Sequence, residues 1–180
     1  MKSVLTLIAF LVVNVSAIAA EGGGEVANRL GYSKHTLLQG ISQSEMAHGK
    51  AISAKFEMKG QSLMLSVYTA RQGLPKDAEH NELLELIGSA EQSAWSPEVE
   101  VFEDKEHLKR SAMQLTLVQA SKLSLVDAVN KAAAATQGQV YSVIPALRDG
   151  VPVYDVRVAV KGGSDKHVSI DSNTGAVREF

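Results

Sequence analysis

The last third of the chain constrains the fold most, because a helical pattern is followed directly by three strand patterns. An Ala-rich run starts at Ser124 and leads to Gly138, with small apolar residues at helical spacing. Three segments rich in Val and Ile follow, and the turns between them carry Gly. They cover residues 140–144, 150–158 and 168–177. This order predicts a helix followed by three strands.

A weaker copy of this order occurs about 89 residues earlier in the chain. A helical pattern over residues 34–50 contains Gly49 as a stop signal, and alternating apolar residues on both sides of Lys59-Gly60 predict a hairpin. The third strand of this copy is predicted at 82–87. The predicted fold class is therefore α+β, with two tandem units, each a helix packed on a three-stranded antiparallel sheet. Four strand residues are expected to face the helices: Ile52, Phe56, Val143 and Leu147.

The second copy resembles the PepSY family. The residues that carry the resemblance are the small helix face of Ala128, Ala132 and Ala135, then Gly138, the turn Asp149-Gly150, the strand Tyr154-Asp-Val156, and Asp171 with Gly175. The match covers 124–177 well and 34–87 loosely. It implies a helix laid across an antiparallel sheet, and a role in protein-level regulation in the envelope, often the restraint of peptidases. No protease domain follows before Phe180, so we expect any restrained peptidase to be a separate protein.

These patterns divide the chain into five segments. The segment between the two copies is open to two interpretations: one helix with Ser96 as its N-cap, or a short strand at 99–102 with a helix that starts at Asp104. The predicted segments are a signal peptide at 1–20, a flexible tether at 21–33, a degenerate PepSY-like unit at 34–95, a connecting helix at 96–122 and a PepSY-like unit at 123–180.

The first residues of the chain have the features of a secretory signal. Lys2 precedes an apolar run at 4–15, and Ala17-Ile-Ala19 supplies small residues for a signal peptidase. Cleavage after Ala19 or after Ala20 fits equally well. An uncleaved anchor is the alternative, but the run is shorter than the ~20 residues that a spanning helix needs. We therefore expect a periplasmic or extracellular protein with no integral membrane segment.

Composition narrows the possible functions. The chain contains no Cys, so neither a disulfide nor a thiolate metal site can stabilise it, and burial of its 45% hydrophobic residues must do so. Its formal charge is -2, and removal of Lys2 with the signal makes it more negative. Nucleic-acid binding needs clustered Lys and Arg, so no nucleic-acid partner is expected.

No group of residues has the spacing of an active site. The five His residues lack metal-protease spacing; Glu103 with His107 is the nearest approach to a ligand pair, and Asp165 with His167 is weaker. The segment 171–175 is interpreted as a β-turn with positive φ at Gly175, since a calcium loop needs a different spacing. We assign no catalytic, cofactor-binding or metal-binding residue, and no cofactor.

Trp95 is the only Trp, and it lies beside Ser96-Pro97. It is interpreted either as an anchor for a partner or as a residue that packs against the following helix. The expected function is that of an exported, non-enzymatic binding protein whose partner is another protein, with a secreted peptidase as the candidate. The alternative is a structural or sensory envelope module that binds a small ligand or assembles with itself.

Overall fold

The computed structural model describes residues 23–160 and 165–179, so the predicted signal peptide lies outside the described residues. Within them the fold is α+β, as predicted. The helices are α1 (Gly23–Arg29), α2 (Leu37–His48), α3 (Lys105–Gln119) and α4 (Leu125–Thr136), with 3-10 turns at Leu30–Tyr32 and Ala78–His80. The strands are β1 (Lys50–Lys59), β2 (Ser62–Ala70), β3 (Leu83–Ser89), β4 (Glu98–Val101), β5 (Gln139–Arg148), β6 (Val151–Ala159), β7 (Asp165–Asp171) and β8 (Val177–Glu179).

All eight described strands form one antiparallel sheet with the order β4-β3-β2-β1-β5-β6-β7-β8. The two halves of the chain join where β1 pairs with β5, at Ala54 opposite Val143. These two residues are separated by the offset found in the sequence repeat, so they occupy the same position in the two halves. An approximate twofold axis therefore passes through the sheet between them.

Local details repeat about this axis. The β1–β2 register shifts at Ile52 and the β5–β6 register shifts at Tyr141, which places a bulge at the same point of each half. The helix before each hairpin begins with a capping box, formed by Thr36 with Gln39 in α2 and by Ser124 with Asp127 in α4. Each box satisfies backbone N–H groups that the first helical turn leaves unpaired.

The structure corrects several expectations. Each half contributes four strands rather than three, because β4 and β8 extend the sheet at its two ends. The segment between the units is a strand followed by a helix that Asp104 caps, which is the second of the two interpretations, and not one connecting helix at 96–122. The tether predicted at 21–33 is helical from Gly23 to Tyr32, because the buried side chains of Val26 and Leu30 hold it against the core.

Three of the four residues expected to face the helices are buried, namely Ile52, Phe56 and Val143. The prediction for Leu147 is wrong, since it is 55% exposed. Leu147 pairs with Pro152 one step from the turn at Asp149-Gly150. The tip of this hairpin therefore extends past the packed layer, where alternation no longer implies burial.

Helices cover both sides of the sheet at its centre. Gly40 of α2 packs against Leu65, whose partner on β1 is Phe56. On the opposite side, the Ser53 hydroxyl donates a hydrogen bond of 2.8 Å to the Gln114 side chain of α3. We call the side that carries α2 and α4 the helix-pair face, and the other side the α3 face. The middle of β1 is consequently buried on both sides.

The turn from α2 into β1 requires glycine. Gly49 has φ +88, and a Cβ there would lie 2.3 Å from the carbonyl oxygen of Ala70. Gly49→Ala should lower the free energy of unfolding by about 2–5 kcal/mol, because it combines an unfavourable φ with a backbone overlap. Chemical denaturation measures the change.

Gly60→Ala is the matched control, since Gly60 has φ +62 but nothing within 4 Å of an added Cβ. It should cost only about 1 kcal/mol. Equal losses for the two variants would mean that the close approach to Ala70 is not present.

Candidate binding surface

The His residues singled out from the sequence have local structural partners. His107 contacts the Asp104 carboxylate, with Nδ1 to Oδ2 at 2.6 Å, and stacks on Phe102 at 5.1 Å between ring centroids. The Asp104 carboxylate accepts hydrogen bonds from the backbone and then the side chain of His107, and these hold the pKa of Asp104 below its ordinary value. Asp104 is the N-cap of α3, because its carboxylate accepts the hydrogen bond from the His107 backbone N–H. The structure pairs His107 with Asp104, whereas the sequence singled out Glu103.

The second candidate pair, Asp165 with His167, does not form a pair in the structure, because each residue contacts a different partner. Asp165 accepts a hydrogen bond of 2.9 Å from Arg157, whereas His167 lies 3.6 Å from Asp155. No cluster of three or more His, Cys, Asp or Glu residues arranged to hold a metal is found in residues 23–160 and 165–179.

The segment 171–175 is a turn, as predicted. The Asp171 carboxylate accepts the backbone N–H groups of Asn173 and Thr174 at 2.9 and 2.8 Å, and Gly175 has φ +76. The hydrogen bonds from Thr174 and then Asn173 hold the pKa of Asp171 below its ordinary value. The carboxylate thus stabilises the turn that leads into β8.

Trp95 is a core residue. It is 4% exposed, and its ring lies over Gly88, where an added Cβ would come within 2.8 Å of Nε1. The side-chain amide of Gln43 donates a hydrogen bond of 2.9 Å to the Trp95 carbonyl. The interpretation as an exposed anchor is therefore wrong, and the ring packs against Gly88 of β3.

A charged network occupies the α3 face of the second half. Arg148 donates a hydrogen bond of 2.8 Å to Asp155, which also faces His167, and Arg157 pairs with Asp165. Burial raises the pKa of Asp155, but His167 and Arg148 together outweigh it and leave that pKa below its ordinary value. The charges compensate one another along β5, β6 and β7.

Tyr141 lies at the edge of this network. Its ring is buried, and its pKa is raised by burial first and then by the Asp165 carboxylate, against a smaller opposing effect of Arg157. The phenol therefore stays protonated across the physiological range.

The α3 face of the first half carries a smaller network. Lys55 pairs with Glu57 at 2.5 Å, and the Ser66 hydroxyl donates a hydrogen bond of 2.6 Å to the same carboxylate. The Tyr68 ring stacks on Phe102, with 5.7 Å between ring centroids. Burial and the carboxylates of Glu85 and Glu57 raise the pKa of the Tyr68 hydroxyl.

One end of the sheet is formed by β4, whose four residues are all exposed. The Phe102 N–H donates to the Leu83 carbonyl at 3.1 Å, and hydrogen-bonded pairs alternate along an antiparallel ladder. By this alternation the backbone groups of Glu98 and Glu100 point at β3. Those of Val99 and Val101 point outward.

A shallow apolar groove lies between α2 and α4 on the helix-pair face. Its volume is about 470 Å³, and Met46 beside it is 80% exposed. The residues that line it are Leu38, Ile41, Ser42, Glu45, Met46 and Val126.

The contribution of Asp155 to the charged network can be measured as a pH-dependent part of the free energy of unfolding. Asp155→Asn should lower the free energy of unfolding by about 1–2 kcal/mol at pH 7, because it removes a charge-assisted hydrogen bond from Arg148. The folded-state pKa of Asp155 is depressed. Its contribution is therefore present above the unfolded-state pKa of about 3.9 and disappears as pH falls through the folded-state pKa.

The stabilities of the wild type and Asp155→Asn should therefore converge below about pH 4 in denaturation series at several pH values. Asp149→Asn is the control: Asp149 is exposed, has φ +52 and precedes Gly150, and Asn-Gly suits the same turn. It should change the stability by less than about 0.5 kcal/mol. A stability difference between wild type and Asp155→Asn that is independent of pH would contradict the ion-pair account.

Comparison with known proteins adds three findings. No curated protein matches the chain. A crystal structure of a protein from Clostridium difficile 630 that is assigned as a lipoprotein aligns with a TM-score of 0.42 and 16% identity, covering 82% of this chain and 95% of the other.

The third finding concerns the last third of the chain. Residues 122–180 match the family model described as "Peptidase propeptide and YPEB domain", or PepSY. The matched range includes α4 and the strands β5 to β8, the same helix and strands that follow the Ala-rich run in the sequence. The C-terminal third of this chain therefore matches the PepSY family.

Proposed function

We propose that the protein is an exported, non-enzymatic binding protein that restrains or regulates a secreted peptidase through two PepSY-like units. The observation that carries the proposal is the PepSY match over residues 122–180, a family described by its occurrence in peptidase propeptides. The repeat of helix, bulged hairpin and further strands in residues 34–101 supports a second unit of the same kind.

The chemistry of the α3 face fits binding better than catalysis. General acid–base catalysis needs a titratable group that reaches a substrate and has a pKa near the working pH. Here Asp155 and Asp165 are held in ion pairs with Arg148 and Arg157. Such compensated charges favour recognition of a partner by shape and surface complementarity.

Export is part of this proposal. It is supported by Lys2, the apolar run at 4–15 and the small residues at 17–19. Within residues 23–160 and 165–179, no helix combines the length and apolarity that a membrane crossing needs.

N-terminal sequencing of the protein from fractionated cells should give a start at Ala20 or Glu21 in the periplasmic or extracellular fraction. An intact Met1 on membrane-bound protein would instead support an uncleaved anchor.

Peptidase restraint predicts both capture and inhibition. The mature protein, immobilised and exposed to the native secretome, should retain a peptidase, and added in micromolar excess it should slow proteolysis by that enzyme. Mass spectrometry should find the protein intact after the assay, because an inhibitor that binds by surface contacts is not consumed.

Cleavage of the protein during the assay would identify it as a competing substrate. Failure to retain any peptidase, together with unchanged proteolysis, would contradict the proposed function.

The groove between α2 and α4 favours one other candidate, a small-ligand or assembly module. Its volume of about 470 Å³ falls in the range of roughly 300–1,000 Å³ found for small-molecule sites. The groove is open and has few polar groups that could fix a ligand's orientation, so we place this candidate second. A negative result in the peptidase experiment would make it the better account.

A further inference from the structure

We propose that the outer edge of β4 binds an extended, basic segment of a partner protein, which adds to the sheet as a further strand. The inference rests on the proposed function, since it specifies which surface of the binding protein is used and what chemistry the partner segment has. Three features of β4 carry it: the direction of its backbone groups, the charges beside it and the depression at its end.

The backbone of β4 presents pairing groups along a short length. Val99 and Val101 direct both N–H and C=O outward, by the alternation set by the bond from Phe102 to Leu83. Pro97, just before the strand, has no N–H to offer. The edge therefore fits a partner strand of about three or four residues, a common mode of peptide recognition.

The side chains of β4 select the partner by charge. Glu98 and Glu100 lie on the α3 face, and Glu100 stands directly opposite Glu85 of β3. Two bases lie near Tyr68 on that face: Arg110, and Lys55, which is paired with Glu57. Since Lys55 is already paired, Glu85, Glu98 and Glu100 outnumber the base that remains beside them. Opposite charges on paired strands attract and like charges repel. The edge should therefore accept a strand with Lys or Arg at alternate positions.

The other face of β4 is apolar. Val99 and Val101 are 42% and 44% exposed, and they lie on the helix-pair face. The intervening positions of the partner strand should therefore be apolar. A depression of about 350 Å³ at the end of β4 includes Val101, Phe102, Leu83, Leu108 and His80, and it can receive the last side chain of the added strand.

A second copy of this chain fits the edge poorly. Antiparallel pairing of β4 with β4 would bring Glu98 and Glu100 opposite the same carboxylates, which is unfavourable. Short length and charge are the features by which edge strands avoid indiscriminate pairing. The acidic edge thus excludes its own copy while it attracts a basic segment.

Synthetic peptides test the proposal on the full mature protein. A labelled Lys-Val-Lys-Val-Lys peptide should bind about tenfold or more tightly than Glu-Val-Glu-Val-Glu in fluorescence anisotropy, since two cross-strand charge pairs change from attractive to repulsive. Binding should weaken with added salt. The Lys-Val peptide with N-methylated backbone amides keeps its charges but cannot pair, so it should lose about tenfold or more in affinity if the contact is a strand.

Two pairs of variants locate the site. Val99→Pro removes an outward N–H from β4, whereas Val177→Pro makes the corresponding change on β8, because the Asp171 N–H bonds to the Ala176 carbonyl and so turns Val177 outward. Glu98→Gln with Glu100→Gln removes the charges, and the exposed Glu103→Gln is its control. Only the β4 variants should weaken binding of the Lys-Val peptide, by about fivefold or more. Circular dichroism and thermal unfolding establish that each variant is folded.

Several outcomes would overturn the inference. They are equal binding of the two peptides, equal binding of the N-methylated peptide, no binding of either peptide at millimolar concentration, an equal effect of Val177→Pro, or sedimentation that shows β4-dependent self-association. If Val99→Pro fails to fold, the N-methylated peptide still decides the question. Peptide binding at β4 without capture of a peptidase would sustain this inference and reject the proposed function. Capture of a peptidase without peptide binding at β4 would sustain the proposed function and reject this inference.

Discussion

The pairing of β1 with β5 is the contact on which the rest of the structure depends. It joins two strands from equivalent positions of the two halves, at Ala54 and Val143, and both residues are fully buried. Without this pairing each half would expose the edge of a long apolar strand. Such an edge can pair with other chains and so promotes aggregation. With the pairing, α2 and α4 cover one side of a single sheet while α3 crosses the other. The two exposed edges of the sheet are then the short strands β4 and β8.

Much of the secondary structure could be predicted because it follows from local physical chemistry. Hairpin alternation predicted the pairing of β1 with β2 and of β5 with β6, and the Ala-rich run that starts at Ser124 predicted α4. The positive φ at Gly175 follows from its place in a turn. The second half was recognisable from turn and packing residues, and its match to the PepSY family confirms the resemblance.

The missed features depend on contacts between distant residues. Alternation tells which side of a strand is buried but not which strand lies beside it, so the joining of the halves at Ala54 and Val143 could not be predicted. The helix at Gly23–Arg29 contradicts the low helix propensity of its glycines, because tertiary contacts such as the ion pair between Arg29 and Glu91 hold it in place. β4 contains two Glu residues in four and gives a weak strand signal.

The candidate site was missed for a related reason. That β4 is an edge is a property of the sheet order, and the outward direction of Val99 follows from the register with β3. The sequence could suggest residues whose side chains are able to bind metals or transfer protons, but in the structure these side chains form a helix cap and ion pairs. Asp104 caps α3 and pairs with His107, and Asp165 pairs with Arg157. The charged groups of the described residues thus organise a surface, and the short acidic strand β4 is exposed at one end of the sheet.

Native-state hydrogen exchange across β1 and β5 tests the central claim most directly. If the two halves share one sheet, peptides covering residues 53–56 and 141–144 should exchange only through global unfolding. Their opening free energies should equal each other and the value from chemical denaturation, which should show a single transition. Separate unfolding transitions for the halves, or rapid exchange in either peptide while the other stays protected, would contradict the account.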